Sequence, residues 1–509
     1  MPIPESDNSV NTRDSNSREV INSSNDVINS SNGVINRSNG VINRSNIDAM
    51  SIPLALYIHI PWCVKKCPYC DFNSHELGTD VSTSMYDGYV DALLLDARMQ
   101  RPLTQGREIS SIFIGGGTPS LLPIAQYQRL FSGLRACFNF ADDIEVTMEA
   151  NPGTLEHAPF SEYLEVGINR LSIGVQSFAA DKLQTLGRIH DPEQAVSAIK
   201  AAREAGFARV NVDLMHGLPQ QTLVEALHDI QMAHDTGATH ISWYQLTIEP
   251  NTVFYRSQPI LPDEDSLADI EQAGQALLQS LGYNNYEVSA WAGRLDAPCR
   301  HNVNYWQFGD YLAIGAGAHG KVSINEPVDL PDDSSKDDSS KDDSSKDNSS
   351  KDNSSKDNSL LNTGSLDTDL TAISFKNNPY LKQAGIYRFS KSRLPKDYVA
   401  HKDEAVDPDN RAGQDSKQQS EVGQKAPKMI GWQAIASDEL VSEFMLNALR
   451  LHDGVTWALF EARTNLSYSD IASQVDKLVS QGLLIDSKDK LQPTALGQRY
   501  LNQILREFL

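Results

Sequence analysis

The fold is decided by the stretch Tyr57-Ile-His-Ile-Pro-Trp-Cys63-Val-Lys-Lys-Cys67-Pro-Tyr-Cys70. Three of the five cysteines of the 509-residue chain fall within its last eight residues, and the other two lie far away in sequence. A C-x3-C-x2-C run on one loop can direct three thiolates to one side, and thiolates are the ligands that iron–sulfur clusters use. Three of them suit three corners of a [4Fe–4S] cube and leave the fourth iron for a small molecule. The sequence therefore predicts a cluster on Cys63, Cys67 and Cys70.

The cysteines could also serve two other purposes. A zinc site normally has four ligands, and Cys299 or a histidine could supply the fourth, so zinc stays open on spacing alone. A disulfide framework is disfavoured because the cysteine count is odd and the chain is long. The first residues lack the basic start and apolar core of a signal peptide, and no apolar run approaches the roughly 18 residues that span a bilayer. The chain is therefore predicted to be cytoplasmic, with reduced cysteines.

Low-complexity sequence divides the chain. Residues 1–50 are polar and repeat with a period of seven, which provides too little apolar surface for a core, so we expect disorder. Residues 326–375 include repeats of Asp-Asp-Ser-Ser-Lys, and 401–432 are mostly polar, with almost no large apolar residues from 401 to 428. Both are predicted to be disordered insertions, because the cost of loop closure grows slowly with length. The folded parts are then predicted to be a core at 51–325, its continuation at 376–400 and a C-terminal domain at 433–509.

Strand-like and helix-like segments alternate between Leu54 and about Ile314. The strand-like runs are 54–60, 111–114, 144–149, 170–175, 209–214 and 240–248, and the helical stretches between them are 82–99, 124–137, 154–166, 192–205 and 222–236. This strict alternation predicts a parallel sheet covered by helices. Six units are too few for a closed eight-stranded barrel, so the predicted fold class is α/β, with a partial (β/α)6 barrel. Active sites of such folds lie at the carboxyl ends of the strands, where the cysteine loop begins.

The region 433–509 is predicted to form a small, mostly helical, winged-helix-like domain. Helical patterns at 438–449, 459–463 and 469–481 precede a short hairpin at 483–493. Winged helices often bind DNA, but the helix at 469–481 has no concentrated basic face, and the chain carries a net charge of −23. Nucleic acid and anionic membrane surfaces both require a basic face, so neither is a predicted partner.

Polar or glycine-rich residues follow several of the strands. The run Gly115-Gly-Gly-Thr-Pro119 comes after the second strand, and its glycines let backbone amides or carbonyls approach a ligand closely. Glu149 ends the third strand, Gln176 follows the fourth and Asp213 closes the fifth. A carboxylate there could accept hydrogen bonds from a ribose, although each residue taken singly could also be a helix cap. Because the carboxyl ends of parallel strands meet at one edge, we expect one shared cavity.

Five motifs together resemble the coproporphyrinogen-dehydrogenase-like family of radical S-adenosylmethionine (SAM) proteins. They are Tyr57-x-His-x-Pro-x-Cys63-x3-Cys67-x2-Cys70, Gly-Gly-Gly-Thr-Pro, Glu149-Ala-Asn-Pro, Arg170-Leu-Ser-Ile-Gly-Val-Gln-Ser-Phe and Asp213-Leu-Met-His-Gly-Leu-Pro. The resemblance covers about residues 52–325, 376–400 and 435–509. It implies that the three cysteines hold a [4Fe–4S] cluster whose free iron is chelated by SAM. The residues that it implies as SAM contacts are Tyr57, Gly116, Gly117, Thr118, Glu149, Gln176, Arg188 and Asp213.

Two features separate the members of this family. The oxygen-independent coproporphyrinogen III oxidases carry a further cysteine two places after the third, where this chain has Phe72. The stretch His301-Asn-Val-Asn-Tyr305-Trp306 matches an H-N-x-x-Y-W motif that is associated with haem binding in the haem chaperones of the family. The resemblance therefore implies a haem chaperone without coproporphyrinogen oxidase activity, and the oxidase is the alternative.

Haem is the ligand that this resemblance adds to the cluster and SAM. A neutral imidazole is a usual axial ligand of haem iron, so His301 is the first candidate, with Tyr305 and Trp306 stacking on the porphyrin. We expect this run near the rim where the strand ends converge. His319, after the next short strand, is the second candidate. The implied partners are haem and haem-accepting proteins, while contact with membrane-bound haem-receiving complexes and a homodimer stay open.

Deletion of residues 1–48 together with 332–359 should leave cluster content and the thermal unfolding temperature nearly unchanged. Neither block carries enough apolar surface to contribute to a core. Iron analysis and a thermal melt of the deleted and full-length chains test this. A large fall in melting temperature, or loss of soluble protein, would mean that one of the repeats is structural.

Overall fold

The computed structural model describes residues 48–78, 83–153, 159–325, 383–404 and 431–509. Nearly all of the sequence predicted to be disordered, at 1–50, 326–375 and 401–432, lies outside these ranges.

Sixteen strands occur in the described ranges. They are β1 (Leu54–Ile60), β2 (Trp62–Cys63), β3 (His75–Glu76), β4 (Ile109–Gly116), β5 (Phe140–Ala150), β6 (Arg170–Gln176), β7 (Arg209–His216), β8 (His240–Gln245), β9 (Tyr283–Glu287), β10 (Ala290–Gly293), β11 (Asp310–Ile314), β12 (His319–Ile324), β13 (Gly385–Ser390), β14 (Gly431–Ala434), β15 (Val455–Thr456) and β16 (Lys490–Leu491).

The α-helices of the same ranges number fifteen. They are α1 (Thr83–Gln100), α2 (Ile124–Cys137), α3 (Phe160–Val166), α4 (Ala180–Thr185), α5 (Pro192–Glu204), α6 (Leu223–Asp235), α7 (Val253–Ser257), α8 (Glu264–Ser280), α9 (Arg300–Trp306), α10 (Pro395–Glu404), α11 (Leu440–Ala448), α12 (Trp457–Thr464), α13 (Tyr468–Ser480), α14 (Ala495–Arg499) and α15 (Leu501–Arg506). None of them combines the length and the apolar character that crossing a bilayer requires.

Twelve strands form one sheet in the order β14-β13-β12-β11-β1-β4-β5-β6-β7-β8-β10-β9. The seven strands from β11 to β8 in this order are parallel. Antiparallel strands extend the sheet at both sides, β12 to β14 beside β11 and then β10 and β9 beside β8. The six predicted strand–helix units are confirmed as β1 and β4 to β8, and β11 adds a seventh parallel strand on the other side of β1.

Helix α5 shows why the sequence pattern predicted these units. Asp191 caps its amino end in a capping box with Gln194, and Pro192 occupies the first turn, where its missing N–H costs nothing. Ala195, Ile199 and Ala202 form the buried stripe. The chain then turns at Gly206, which has a φ of 103° that a residue with a side chain rarely adopts.

Alternation along the parallel strands separates an apolar outer face from a polar inner face. On β1, Leu56 and Ile58 are buried in the main hydrophobic core beneath the helices. Tyr57 and His59, on the opposite face, point into the barrel interior, where the Tyr57 ring lies 6.4 Å from that of Phe113 on β4. The helices therefore stabilise the barrel from outside, and the interior is available for polar chemistry.

The C-terminal region packs its helices around a second core that contains Phe444, Trp457 and Phe460. Its small sheet pairs β15 with β16, and a backbone hydrogen bond from Ile485 to Gln492 continues the pairing. The helical region with a short wing is thus as predicted. The same core includes Ile52, Phe308 and Ile386 of the barrel, so this region is packed directly on the sheet.

A fully buried carboxylate holds the 383–404 segment to the barrel. Asp96 on α1 accepts hydrogen bonds from Lys391 Nζ at 2.6 Å, Tyr398 Oη at 2.7 Å and Gln100 Nε2 at 2.8 Å. The side chains of Asp96 and Lys391 are both completely buried. Each charge therefore depends on the other for the solvation that it loses on folding.

Replacement Asp96→Ala should destabilise the protein by about 3–5 kcal/mol, because it leaves the Lys391 ammonium buried without its counter-ion. Thermal or urea unfolding measures the change. The matched control is Lys477→Ala, which removes a half-exposed pair with Glu507 and should cost at most about 1 kcal/mol. Equal effects of the two variants would contradict the assigned role of Asp96.

Candidate functional site

The three clustered cysteines lie where the sequence predicts, in the loop that follows β1 at the carboxyl end of the barrel. Cys63 ends the short strand β2, which pairs with β3 and so closes the loop. Cys67 and Cys70 lie between these strands, and the backbone N–H of Cys70 donates to the carbonyl of Cys67 at 3.2 Å. All three side chains are partly exposed, and all five cysteines of the chain are free thiols.

Hydrogen-bond donors from the loops that follow β4 and α4 reach two of the thiols. Thr118 Oγ1 lies 3.4 Å from the sulfur of Cys63, and Arg188 Nη1 lies 3.7 Å from the sulfur of Cys67. The Cys70 sulfur lies 3.7 Å from Ser74 Oγ. Burial raises the pKa of the Cys63 thiol, and the hydroxyl of Thr118 opposes that shift. A cationic guanidinium and hydroxyl donors around the sulfurs favour the thiolate form that binds metal.

This donor set fits an iron–sulfur cluster. The described residues contain no group of three or more His, Cys, Asp or Glu side chains arranged around a single metal ion. The sulfur ligands of a [4Fe–4S] cube bind different iron atoms and stand farther apart than the ligands of one ion. Cys299, weighed as a fourth zinc ligand, is buried elsewhere, with its sulfur 3.4 Å from Glu145 Oε1. The three thiols therefore have no cysteine partner for a tetrahedral zinc site.

The glycine turn after β4 lies directly against the cysteine loop. Gly117 N donates to the carbonyl of Ile60 and Thr118 N to that of Trp62, each at 2.7 Å. A Cβ on Gly116 would lie 2.5 Å from the His59 ring, and one on Gly117 would lie 2.5 Å from the Trp62 carbonyl oxygen. Both positions therefore require glycine. Because the amides are used within the protein, the turn can offer a ligand carbonyl oxygens, which suit an ammonium rather than a carboxylate.

Two half-buried carboxyl groups line the interior below this turn. Glu149 Oε2 accepts from Gly116 N at 3.1 Å. Asp213 accepts from Ser172 Oγ at 3.0 Å and from Asn211 Nδ2 at 2.8 Å. Burial, with the neighbouring Asp213, raises the pKa of Glu149 to about 7, and burial also raises the pKa of Asp213. Such a pair favours a cationic ligand, whose charge would stabilise both carboxylates.

Gln176 and Arg188 meet at the end of β6. Gln176 has a φ of 71°, in the left-handed region that residues other than glycine rarely adopt. Arg188 donates through Nη2 to the carbonyl of Gly174, two residues earlier. The structure thus brings Arg188 between the end of β6 and Cys67. The backbone strain at Gln176 is of the kind that clusters at functional sites.

His301 does not lie near the rim where the strand ends converge, and that expectation is wrong. Helix α9 begins at the amino end of the barrel, where Arg300 N donates to Glu145 Oε1 at 2.9 Å. From there the His301 ring reaches the interior, with its centroid 4.9 Å from that of Phe113 and 6.3 Å from that of Tyr57. Burial lowers the pKa of His301 to about 4, so the imidazole is neutral at pH 7.

The aromatic residues that follow His301 face a different part of the molecule. The Tyr305 ring packs against Tyr311 with a centroid distance of 5.0 Å. Trp306 packs against the C-terminal core, and the Arg450 guanidinium lies 5.0 Å from its ring centroid. The H-N-x-x-Y-W motif therefore joins the barrel interior to the C-terminal region, rather than presenting its three side chains to one ligand.

Two residues that sequence reasoning did not select connect the ligand-binding candidates. His59 Nε2 donates to the Asn73 carbonyl and Nδ1 forms a hydrogen bond with Tyr57 Oη, each at 2.9 Å. Asn73 Nδ2 donates to the carbonyls of Ala316 at 3.0 Å and Arg393 at 2.8 Å. His59 stood inside the first motif, which was a usable signal. The contacts of Asn73 span more than 240 residues of sequence, so no local pattern could reveal them.

Comparisons with known proteins agree with this geometry. The model of the radical SAM superfamily matches residues 57–233, and that of the HemN C-terminal domain matches residues 435–500. The chain is 41% identical over 457 residues to the heme chaperone HemW of Escherichia coli K12, covering 90% of this chain and 98% of that protein. It is 39% identical over 458 residues to the heme chaperone HemW of Haemophilus influenzae, with the same shares of both chains.

A solved structure supports the fold. The coproporphyrinogen III oxidase HemN of Escherichia coli superposes with a TM-score of 0.64, covering 91% of this chain and 92% of that one, at 22% sequence identity. At this identity the likeness concerns the fold alone. The predicted α/β fold with a partial barrel and a helical C-terminal region is therefore confirmed.

Replacement of Cys63, Cys67 or Cys70 by Ala should remove most of the iron and the brown colour of the anaerobically reconstituted protein, because three thiolates are the least that can hold the cube in place. Iron and sulfide analysis with an absorption spectrum measures this. Cys137→Ala and Cys299→Ala are the matched controls and should keep the cluster. Full iron content in Cys67→Ala, or one zinc per chain after reconstitution, would overturn the assignment.

Proposed function

Since the chain belongs to the radical SAM superfamily and, within it, to the HemW family, as its motifs predicted, we propose that it is a haem chaperone that binds haem and delivers it to haem-accepting proteins. The observation that carries this proposal is the similarity to proteins named heme chaperone across nearly their whole length. The same similarity supports a cytoplasmic location and haem-accepting proteins as partners.

The residues at the carboxyl ends of the strands would hold the cluster and SAM. Cys63, Cys67 and Cys70 would bind three irons, and a cluster held in this way supplies a redox-active iron with an open position for SAM. Carbonyl oxygens of the Gly116–Gly117 turn would accept hydrogen bonds from the SAM ammonium. Glu149, within the same cavity, would balance its positive charge. Superfamily membership supports both ligands.

His301 is the proposed haem ligand within the H-N-x-x-Y-W motif. Neither of its ring nitrogens forms a hydrogen bond with the described part of the chain, and Nδ1 is shielded from solvent. A buried imidazole without a partner is costly, and coordination of an iron would compensate for that loss. Trp306, on the same helix, packs against the C-terminal core.

We expect the protein to lack coproporphyrinogen oxidase activity. Phe72 occupies the place of the additional cysteine of the oxidases, and its side chain can neither bind metal nor donate a hydrogen atom as a thiol does. The likeness to the oxidase structure concerns the fold.

One anaerobic experiment on the full chain with its reconstituted cluster tests the proposed function. Haemin should bind and shift the Soret band, and His301→Ala should weaken that binding about tenfold, which corresponds to about 1.4 kcal/mol. With SAM, a reductant and coproporphyrinogen III, no protoporphyrinogen should form. A wild-type protein that binds no haem would refute the chaperone function. Many turnovers of coproporphyrinogen per chain would establish the oxidase instead.

A further inference from the structure

A second imidazole lies at the end of the barrel opposite to the entry of His301. His319 begins β12, which runs antiparallel to β11, so it lies beside the carboxyl end of β11 and the cysteine loop. Its side chain is exposed and forms no hydrogen bond with the described residues. His319 is therefore positioned at the mouth of the barrel.

Asn73 joins the loops that surround this histidine. Its amide nitrogen bridges the carbonyls of Ala316, just before β12, and Arg393, just after β13. A further backbone bond from Gly317 N to the Ser392 carbonyl, at 2.8 Å, ties the same loops together. Because several hydrogen bonds fix this corner, the groups on it are presented by a rigid scaffold rather than by a loose loop.

The chemistry of the corner combines three features. The Arg393 and Arg388 guanidiniums are the charged groups that act on the His319 ring. Phe72, which precedes Asn73, is 66% exposed, and Leu394, which follows Arg393, is 44% exposed. The hydrogen bonds of Asn73 bring the backbone segments that carry these exposed apolar side chains to the same corner as Ala316, three residues before His319.

We propose that this corner is a second haem-binding site, with His319 as the iron ligand, Arg393 facing a propionate, and Phe72 and Leu394 against the porphyrin. The inference rests on the proposed function and deepens it. Each part of haem meets the chemistry that recognises it, an imidazole for iron, a guanidinium for a carboxylate and apolar side chains for the ring. The ligand class is an anionic metalloporphyrin.

This site differs from that of His301 in accessibility. His301 reaches the interior from the amino end of the strands and stacks on Phe113. His319 needs no rearrangement of the barrel to meet a planar ligand from solvent. The mouth site is thus suited to exchange haem with another protein, and the interior site is suited to retain it.

Haem titrations of the full chain with its reconstituted cluster test the proposal in four variants: His301→Ala, His319→Ala, the double variant, and His228→Ala as the control for an exposed histidine on the outer helix α6. We expect His301→Ala to keep a haem spectrum with one imidazole ligand. The double variant should lose that spectrum and bind at least tenfold more weakly. The His228→Ala variant should match the wild type.

A second set of variants tests whether Arg393 recognises the negative charge of the haem propionates. Arg393→Glu in the His301→Ala background should weaken haem binding about fivefold or more and leave binding of haem dimethyl ester, which lacks the propionate charges, unchanged. Leu394→Ser should weaken both, whereas Leu295→Ser, at an apolar residue that is 96% exposed elsewhere, should weaken neither.

The outcomes separate the two proposals. If His301→Ala abolishes all specific haem binding, the mouth site is refuted and the chaperone function stands on His301 alone. If the double variant binds haem as His301→Ala does, the association is non-specific and His319 is not a ligand. If the wild type binds no haem, both proposals fail. His319→Gln is the folding control. If it keeps the cluster content of the wild type, a loss of haem binding in this variant is not caused by misfolding.

Discussion

The close contact between the glycine turn and the cysteine loop is the constraint on which the rest of the site depends. Two backbone hydrogen bonds, from Gly117 to Ile60 and from Thr118 to Trp62, join the ends of β4 and β1 with no room for a side chain between them. The same contact sets Thr118 beside Cys63 and Gly116 beside Glu149. A cluster loop, a ligand-binding turn and a half-buried acid are therefore positioned by one approach of two backbones, and an added methyl group at either glycine would displace all three.

The barrel interior is layered along the strand direction. The thiols and the glycine turn lie at the carboxyl end, the carboxyl groups of Glu149 and Asp213 lie beneath them, and the rings of Tyr57, Phe113 and His301 fill the next layer. Tyr57 Oη and His59 connect the lowest of these layers to the backbone of the cysteine loop. Each contact is short, and the interior has a low dielectric that strengthens hydrogen bonds. A displacement of the cysteine loop would therefore be transmitted through His59 to the ring of Tyr57.

The barrel could be predicted because its signals are local and repeated. Helix α5 shows its cap, its apolar stripe and its terminating glycine within sixteen residues, and the other units repeat the same logic. The motif residues at the strand ends could be placed for the same reason. His301 could not, because its position depends on where a short helix enters the barrel, and only the contacts with Glu145 and Phe113 determine that. The roles of Asn73 and Lys391 could not be predicted, because their hydrogen-bond partners lie hundreds of residues away in sequence. Only the tertiary structure brings these partners together.

Strands β12 and β13 pair as a hairpin, and the long low-complexity sequence falls between them, at the connected end of that hairpin. Ile324 pairs with Gly385 at that end, and His319 pairs with Ser390 at the other. Six residues of strand separate the two ends by roughly 17–20 Å. Ile324 and Gly385 therefore lie side by side at the end of the strands away from the barrel mouth, and the entropic cost of joining two neighbouring points grows slowly with loop length. A fluorescent domain or an affinity tag could therefore be inserted at this end of the hairpin. It would label the protein and stay away from the ligand-binding residues at the barrel mouth.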